Sequence, residues 1–140
     1  MYDQLFSWRI TKYKPENRDE RDSYLDDKEW TSFSELGTKV NEEDYLRTES
    51  NYINAILTFM DDVGLNKLYL SDLEIWSDEI TRQNASGFLR KMWVGKAVTT
   101  KEIRELAKLT LRNAIWCKLK YKHESFVFIS DTIIICTLNQ

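Results

Sequence analysis

Proline is almost missing from this chain of 140 residues: Pro15 stands alone, and only four glycines accompany it. So few breakers exclude a collagen-like, linker-like or low-complexity chain. There is one histidine, His123, and there are two cysteines, Cys117 and Cys136, so no Cys-His or His-x-x-His spacing exists to build a zinc site. Glycine-rich phosphate loops and Gly-x-Ser-x-Gly elbows are also missing. His123 falls in a predicted hairpin turn, where an exposed turn residue is the plain reading and a general base or metal ligand the sharp one. Nothing assembles into a nucleophile, a base and an orienting group, so the chain reads as a non-enzyme without cofactor or metal. No apolar run approaches the ~20 residues a membrane span needs. The N-terminus lacks the basic, apolar, small-residue order of a signal peptide, which leads us to expect a cytoplasmic protein without membrane contact. Both cysteines sit in apolar, strand-like runs and read as buried reduced thiols.

What the chain does have is 42% hydrophobic, 31% charged and 13% aromatic residues, a globular composition rich in rings. Its length predicts a single domain over residues 1–140. The net charge of −3 hides a split: residues 1–80 carry 19 acidic side chains against 9 basic, and residues 81–140 carry 4 against 11. Such asymmetry means either charged partners or two halves that face each other in the fold.

Residues 5–13 alternate as a strand, with Phe6, Trp8 and Ile10 on one face, and Pro15 ends it. A charged loop follows to Glu29, after which Trp30 and Phe33 re-enter the core and Gly37 turns the chain. The first helix is expected over Glu42–Asp62, with Asn41 as N-cap, Gly64 as stop, and Tyr45, Leu46, Ile53, Ile56, Leu57 and Met60 as its buried stripe. Lys67–Trp76 alternates as a strand whose more apolar face is Tyr69, Ser71, Leu73 and Ile75, leaving Asp72, Glu74 and Trp76 outward. Thr81–Gly87 reads as a polar loop and Lys91–Ala97 as a strand. Thr99 and Glu102 have capping-box spacing for a second helix with Ile103, Leu106, Ala107, Leu111, Ala114 and Ile115 inward. Strands over Trp116–Lys122 and Phe126–Leu138 close the chain. The order predicts an α+β fold: a mixed or mostly antiparallel sheet under a single layer of two main helices.

Two surfaces could bind. Lys101, Arg104, Lys108 and Arg112 lie along the exposed side of the second helix and could track phosphates, yet a pI near 5.3 and the lack of a nucleic-acid module speak against direct nucleic-acid binding. A solvated face, or pairing with the acidic half, is the plain reading of that stripe. The second surface holds Asp61, Asp62, Asp72, Glu74, Asp78 and Glu79 around Trp76, carboxylates and an aromatic able to steer and anchor a basic protein. Its plain reading is a solvated acidic face.

Ile10-Thr11-Lys12-Tyr13 with Pro15, Arg18-Asp19, Tyr24 and Glu29-Trp30-Thr31-Ser32 resembles the small bacterial immunity proteins of polymorphic toxin systems, contact-dependent growth inhibition among them. A helix leading into Trp116-Cys117-Lys118-Leu119 and an apolar last strand fit as well. Glu35-Leu36-Gly37 stands where the family would have an Asp-Ile-Gly triplet. The resemblance implies a cytoplasmic, non-enzymatic inhibitor that binds the C-terminal domain of a cognate toxin, often a nuclease. The acidic surface would then mimic nucleic acid or occlude a basic active site. The alternative is a nucleic-acid-binding adaptor using the basic helix over residues 100–116.

Overall fold

Helix α1 spans Glu42–Asp62, as its caps predict, in the computed structural model, which describes residues 5–17, 29–121, 125–129 and 133–138. Asn41 Oδ1 accepts the Asp44 N–H at 2.8 Å, and three acidic residues occupy the first turn, where the macrodipole favours them. Gly64, at φ +75°, ends the helix: its N–H reaches Asp61 O at 3.1 Å, and Leu65 N–H reaches Met60 O at 2.8 Å. That is a Schellman closure, which needs a left-handed residue.

With glycine scarce, two more helices end on asparagine. Short helices α2 (Ser77–Arg82) and α3 (Ser86–Leu89) precede α4 (Thr100–Leu111). Asn84 (φ 56°) follows α2 and Asn113 (φ 61°) follows α4. The matching bonds run from Ala85 N–H to Ile80 O at 3.1 Å and from Ala114 N–H to Leu109 O at 2.9 Å. Asparagine tolerates this conformation better than other non-glycine residues. The capping box of α4 is formed as expected: Thr99 Oγ1 accepts the Glu102 N–H at 3.3 Å, and Glu102 Oε1 accepts the Thr99 N–H at 3.1 Å.

Six strands, β1 (Leu5–Ile10), β2 (Lys67–Ile75), β3 (Ala97–Thr99), β4 (Ile115–Tyr121), β5 (Ser125–Ile129) and β6 (Ile133–Leu138), form one sheet in the order β1-β6-β5-β4-β2-β3. Every neighbouring pair is antiparallel, so the fold is α+β with no parallel component in this sheet. Helices α1 and α4 touch each other and the sheet. Between them and the sheet lie the fully buried Ile56, Met60, Leu68, Leu70, Ile103, Leu106, Ile115 and Leu119. Along β4, Ile115, Cys117 and Leu119 point into this core, while Trp116, Lys118 and Lys120 stay half-buried on the other face.

Several expectations need correction. Strand β1 stops at Ile10 instead of reaching Tyr13, because the Lys12 N–H leaves the ladder for Tyr52 Oη at 2.8 Å and Tyr13 turns into the core. Leu46 is 41% exposed; the buried stripe of α1 follows the 3.6-residue period through Tyr45, Glu49, Tyr52, Ile53, Ile56 and Met60. The run Thr81–Gly87 is not a loop, since it holds the end of α2 and the start of α3. The strand expected over Lys91–Ala97 shrinks to Ala97–Thr99. The last apolar run, Phe126–Leu138, folds back on itself as the β5–β6 hairpin. His123, Arg18, Asp19 and Tyr24 lie outside the described residues, and so do the side chains of Phe6, Trp8 and Cys136.

Strand β2 departs most instructively. Its register slips between Leu70, opposite Leu119, and Asp72, opposite Lys118, which leaves Ser71 as a bulge. Leu68 and Leu70 therefore face the core before the bulge, and after it Leu73 and Ile75 share that face, opposite Cys117 and Ile115, although Ile75, expected inward, is 46% exposed at the strand's end. A strict two-residue alternation would have sent one of these pairs into solvent. The outward placement of Asp72 and Glu74 was expected; Tyr69, exposed rather than inward, was not.

Candidate interaction site around Trp76

The two ends of the charged loop are fastened to each other by Glu29. Its Oε2 accepts the Lys14 N–H at 2.7 Å, and its Oε1 lies 3.6 Å from Lys12 Nζ. Burial alone would raise the Glu29 pKa, but the bonds from the Lys14 N–H and Asn17, together with the Lys12 ammonium, outweigh it and hold the carboxyl below its ordinary value. Lys12 Nζ also stacks 4.2 Å from the Trp30 ring centre and 4.3 Å from that of Tyr13. The next turn is set by Glu35, whose Oε2 accepts the Thr31 N–H at 2.7 Å as Phe33–Glu35 coils into a 3-10 turn. Trp30 and Phe33 are thereby laid on Tyr45, with ring centres 5.5 and 5.1 Å away, half-buried and not in the core proper.

Against this wall, Glu49 of α1 and Arg112 at the C-cap of α4 form a two-pronged ion pair. Arg112 Nε donates to Glu49 Oε2 at 2.8 Å and Nη2 to Oε1 at 3.0 Å, while Nη1 donates to Gln83 Oε1 at 3.1 Å. The carboxylate's bonds raise the Arg112 pKa further. Tyr45, 3% exposed, has its phenol pKa pushed far up, first by burial and then by the Glu49 charge. Its hydroxyl is buried beside the Glu49 carboxylate and the Arg112 guanidinium.

Trp30, Phe33, Tyr45 and Glu49 line a cleft of about 400 Å³ that also takes in Lys12, Tyr52, Thr110, Trp76 and Trp116. A second, shallower lobe of about 470 Å³ adjoins it, lined by Ser34, Asp78, Glu79, Arg82 and Arg112. The lobes share Phe33, Trp76 and Asn113, so Trp76 stands between them, 49% exposed. Its backbone is pinned by a 3.0 Å bond from its N–H to Ala114 O. Asp78 and Glu79 follow on α2; Glu79 Oε1 receives Arg82 Nη1 at 3.2 Å, and Glu79 Oε2 is buried without a partner among the described residues. Asp72 and Glu74 are exposed on the open face of the sheet, opposite Lys118 and the cleft residue Trp116.

Asp61 and Asp62 do not join them. They are exposed at the far end of α1, about 24 Å along the axis from Tyr45 at 1.5 Å per residue. The six carboxylates thus divide into Asp78 and Glu79, which share a lobe with Trp76, Asp72 and Glu74 on the strand that leads to it, and the remote Asp61 and Asp62. The basic stripe also breaks up: Lys101 and Arg104 are exposed and Lys108 is half-buried, but Arg112 is held by Glu49. That bond and the Asp72–Lys118 register show the two charge-biased halves meeting inside the fold.

No family model, curated protein or solved structure matches the chain. Among the described residues no group of three or more metal-ligating side chains gathers, and no helix is long and apolar enough to cross a membrane. Sequence reasoning missed the aromatic cleft and the Glu49–Arg112 pair. One signal was present: Glu49 lies on the stripe of Tyr45, Tyr52 and Ile53, so it had to be buried and therefore paired.

Proposed function

We propose that the chain is an immunity protein. It binds the C-terminal domain of a cognate toxin, a nuclease, one to one in the cytoplasm and neutralises it by occlusion, without catalysis. The observation that carries this reading is Trp76, half exposed between two concave lobes and flanked by Asp78, Glu79, Asp72 and Glu74. A tryptophan beside a preformed concavity has the chemistry of an interface hot spot. The carboxylates supply the charge that steers a basic partner and matches a surface built for phosphates. Asp61 and Asp62, at the other end of α1, contribute to long-range attraction rather than to contact. The rival, a nucleic-acid adaptor using the basic helix, retains Lys101, Arg104 and the half-buried Lys108 but not Arg112.

The test first asks whether the gene next to this one encodes a large exported protein, and then uses that protein's C-terminal domain. Titration calorimetry should give a one-to-one complex that weakens roughly tenfold or more from low to high salt. Reversing Asp72, Glu74, Asp78 and Glu79 to lysine should weaken it on the order of 100-fold. Unchanged affinity after that reversal removes the acidic surface from the interface. Filter binding of DNA and RNA covers the rival: binding lost on Lys101/Arg104/Lys108 triple alanine substitution would favour the adaptor.

A further inference from the structure

Strand β2 is paired unevenly on its two sides. Its register with β4 runs from Tyr69 to Ile75, but β3 covers only Lys67–Tyr69 on the other side. Just past β3, Leu70 is still engaged: its N–H donates to Lys96 O at 2.9 Å and its C=O accepts the Gly95 N–H at 2.6 Å. Beyond the Ser71 bulge no described strand lies on that side, so Leu73–Ile75 is an open edge of the sheet. The register fixes which backbone groups point outward. In an antiparallel ladder alternate residues bond to the partner, and those between them face away. The Trp76 N–H bonds to Ala114 O at 3.0 Å, just before β4 begins at Ile115, so Trp76 and Glu74 turn their backbone groups toward β4. Leu73 and Ile75 therefore aim N–H and C=O at the open side, where none of the described residues bonds to them.

An unpaired edge is a template for one more strand, and the side chains around it decide which strand. Asp72 and Glu74 are exposed on the open face of the sheet, and neither has a hydrogen bond or ion pair from its side chain among the described residues. A second copy of this chain, pairing antiparallel here, would bring these carboxylates against their own equivalents, which like charge opposes. A strand with Lys or Arg at every second position would instead set its cations beside Asp72 and Glu74. Its intervening apolar residues would then lie beside Leu73 and Ile75, the latter 46% exposed. The charges reject a second copy and select a basic strand.

We propose that an extended, basic strand of the toxin domain adds to the sheet at Leu73–Ile75, bonded to the outward backbone groups of Leu73 and Ile75 and matched in charge to Asp72 and Glu74. The identity of the partner rests on the immunity reading; the open edge and its charge do not.

Amide hydrogen exchange of the ¹⁵N-labelled full chain, at two protein concentrations, separates the two. In the free protein Leu73 and Ile75 should exchange about 100-fold faster than Glu74 and Trp76. Equal protection overturns the proposal, because the edge is then already covered; protection that grows with concentration overturns it in favour of a second copy. The probe is acetyl-Lys-Val-Lys-Val-Lys-amide, compared with its glutamate-for-lysine counterpart and with the same basic peptide N-methylated at both valines. The basic peptide should slow exchange at Leu73 and Ile75, and each alteration should weaken it about tenfold, one by charge and the other by loss of main-chain bonds. Ile75→Pro removes an outward N–H and takes nothing from the β4 ladder, so it should fold and bind the peptide about fivefold more weakly. Ile75→Ala keeps that N–H and should bind within about twofold of the unmodified chain. The N-methylated peptide tests the same bonds without altering the fold. No slowing by the basic peptide, or equal slowing by either altered peptide, overturns the proposal. The toxin domain should slow the same two amides. A toxin complex in which they still exchange freely overturns the proposal while the immunity reading stands. Peptide binding without any toxin binding refutes the immunity reading, and with it the toxin as the source of the strand.

Discussion

Arg112 is the side chain whose loss should be most informative. It fastens the end of α4 to α1 through Glu49, to the end of α2 through Gln83, and to the 3-10 turn through the Phe33 ring. The Glu49 side chain is 7% exposed and that of Arg112 is 17%, so the carboxylate depends on the guanidinium for nearly all its solvation. Removing one member of a buried pair usually costs 3 to 5 kcal/mol, and the partial exposure of Arg112 lets water return, which places Arg112→Met near the lower end at about 3 kcal/mol. That corresponds to a fall of about 10 °C in melting temperature for a chain of this size. Glu49→Met should cost less, about 2 kcal/mol, because the stranded cation keeps its bond to Gln83 and its ring contacts. The double variant removes both charges and should also cost about 2 kcal/mol, so the cycle closes with a coupling of about 3 kcal/mol. Urea denaturation of the four proteins at neutral pH measures all of this. If the double variant loses the full sum of the two single costs, the pair is not coupled and this account of it is wrong.

The remaining expectations concern pH, thiol chemistry and helix ends. The Thr99 N–H bond lowers the Glu102 pKa, burial opposes it, and the Lys96 ammonium lowers it further. A lowered folded pKa gives stability that is present above the unfolded value of about 4.3 and lost as pH falls through the folded one. Glu102→Gln should therefore flatten the acid limb of melting temperature against pH and cost about 1 kcal/mol at neutrality; an unchanged acid limb would contradict this. Burial pushes the Cys117 thiol up to about 11. In a Cys136→Ala background it should resist Ellman's reagent at pH 8 in the native state and react at once in denaturant, whereas native labelling at the free-thiol rate would show that it is accessible. Asn84 holds a left-handed C-cap at φ 56°, so Asn84→Ala should cost about 1 kcal/mol while Asn84→Gly costs nothing, both read from urea midpoints.

Which parts of the fold were legible follows from how local their causes are. Helix α1 was readable to the residue because its start and stop are set by neighbours in sequence, Asn41 and Gly64. The α4 capping box needed only Thr99 and Glu102. Helices α2 and α3, of six and four residues, and the three-residue β3 are too short for a period to register. The thirteen-residue run Phe126–Leu138 was read as one strand, although it is longer than strands usually are and Ser130-Asp131-Thr132 offers turn chemistry at its middle, where the structure separates β5 from β6. The Ser71 bulge had no such mark, since a pattern with one extra residue reads equally well as either face.

The candidate site was harder to read because no single stretch contains it. Its walls come from Lys12, residues 30–33, the α1 residues Tyr45, Thr48, Glu49 and Tyr52, Trp76, and residues between 110 and 116, brought together by the antiparallel sheet and by the return of α4 against α1. Trp76 could be singled out because acidic residues surround it in sequence, but its importance lies in its position between two lobes, which only the fold creates. The same geometry reinterprets the charged loop near the N-terminus. Glu29, Lys12 and Glu35 are bonded within their own segment, where they hold Trp30 and Phe33 in place. Charges spent on fixing a wall are unavailable to a partner, so the recognition chemistry passes to the rings they position and to the carboxylates beyond Trp76. A variant that unfastens the wall, such as Glu29→Ala, should therefore raise the solvent exposure of Trp30, read by its fluorescence quenching with iodide, without changing the charge of the acidic lobe.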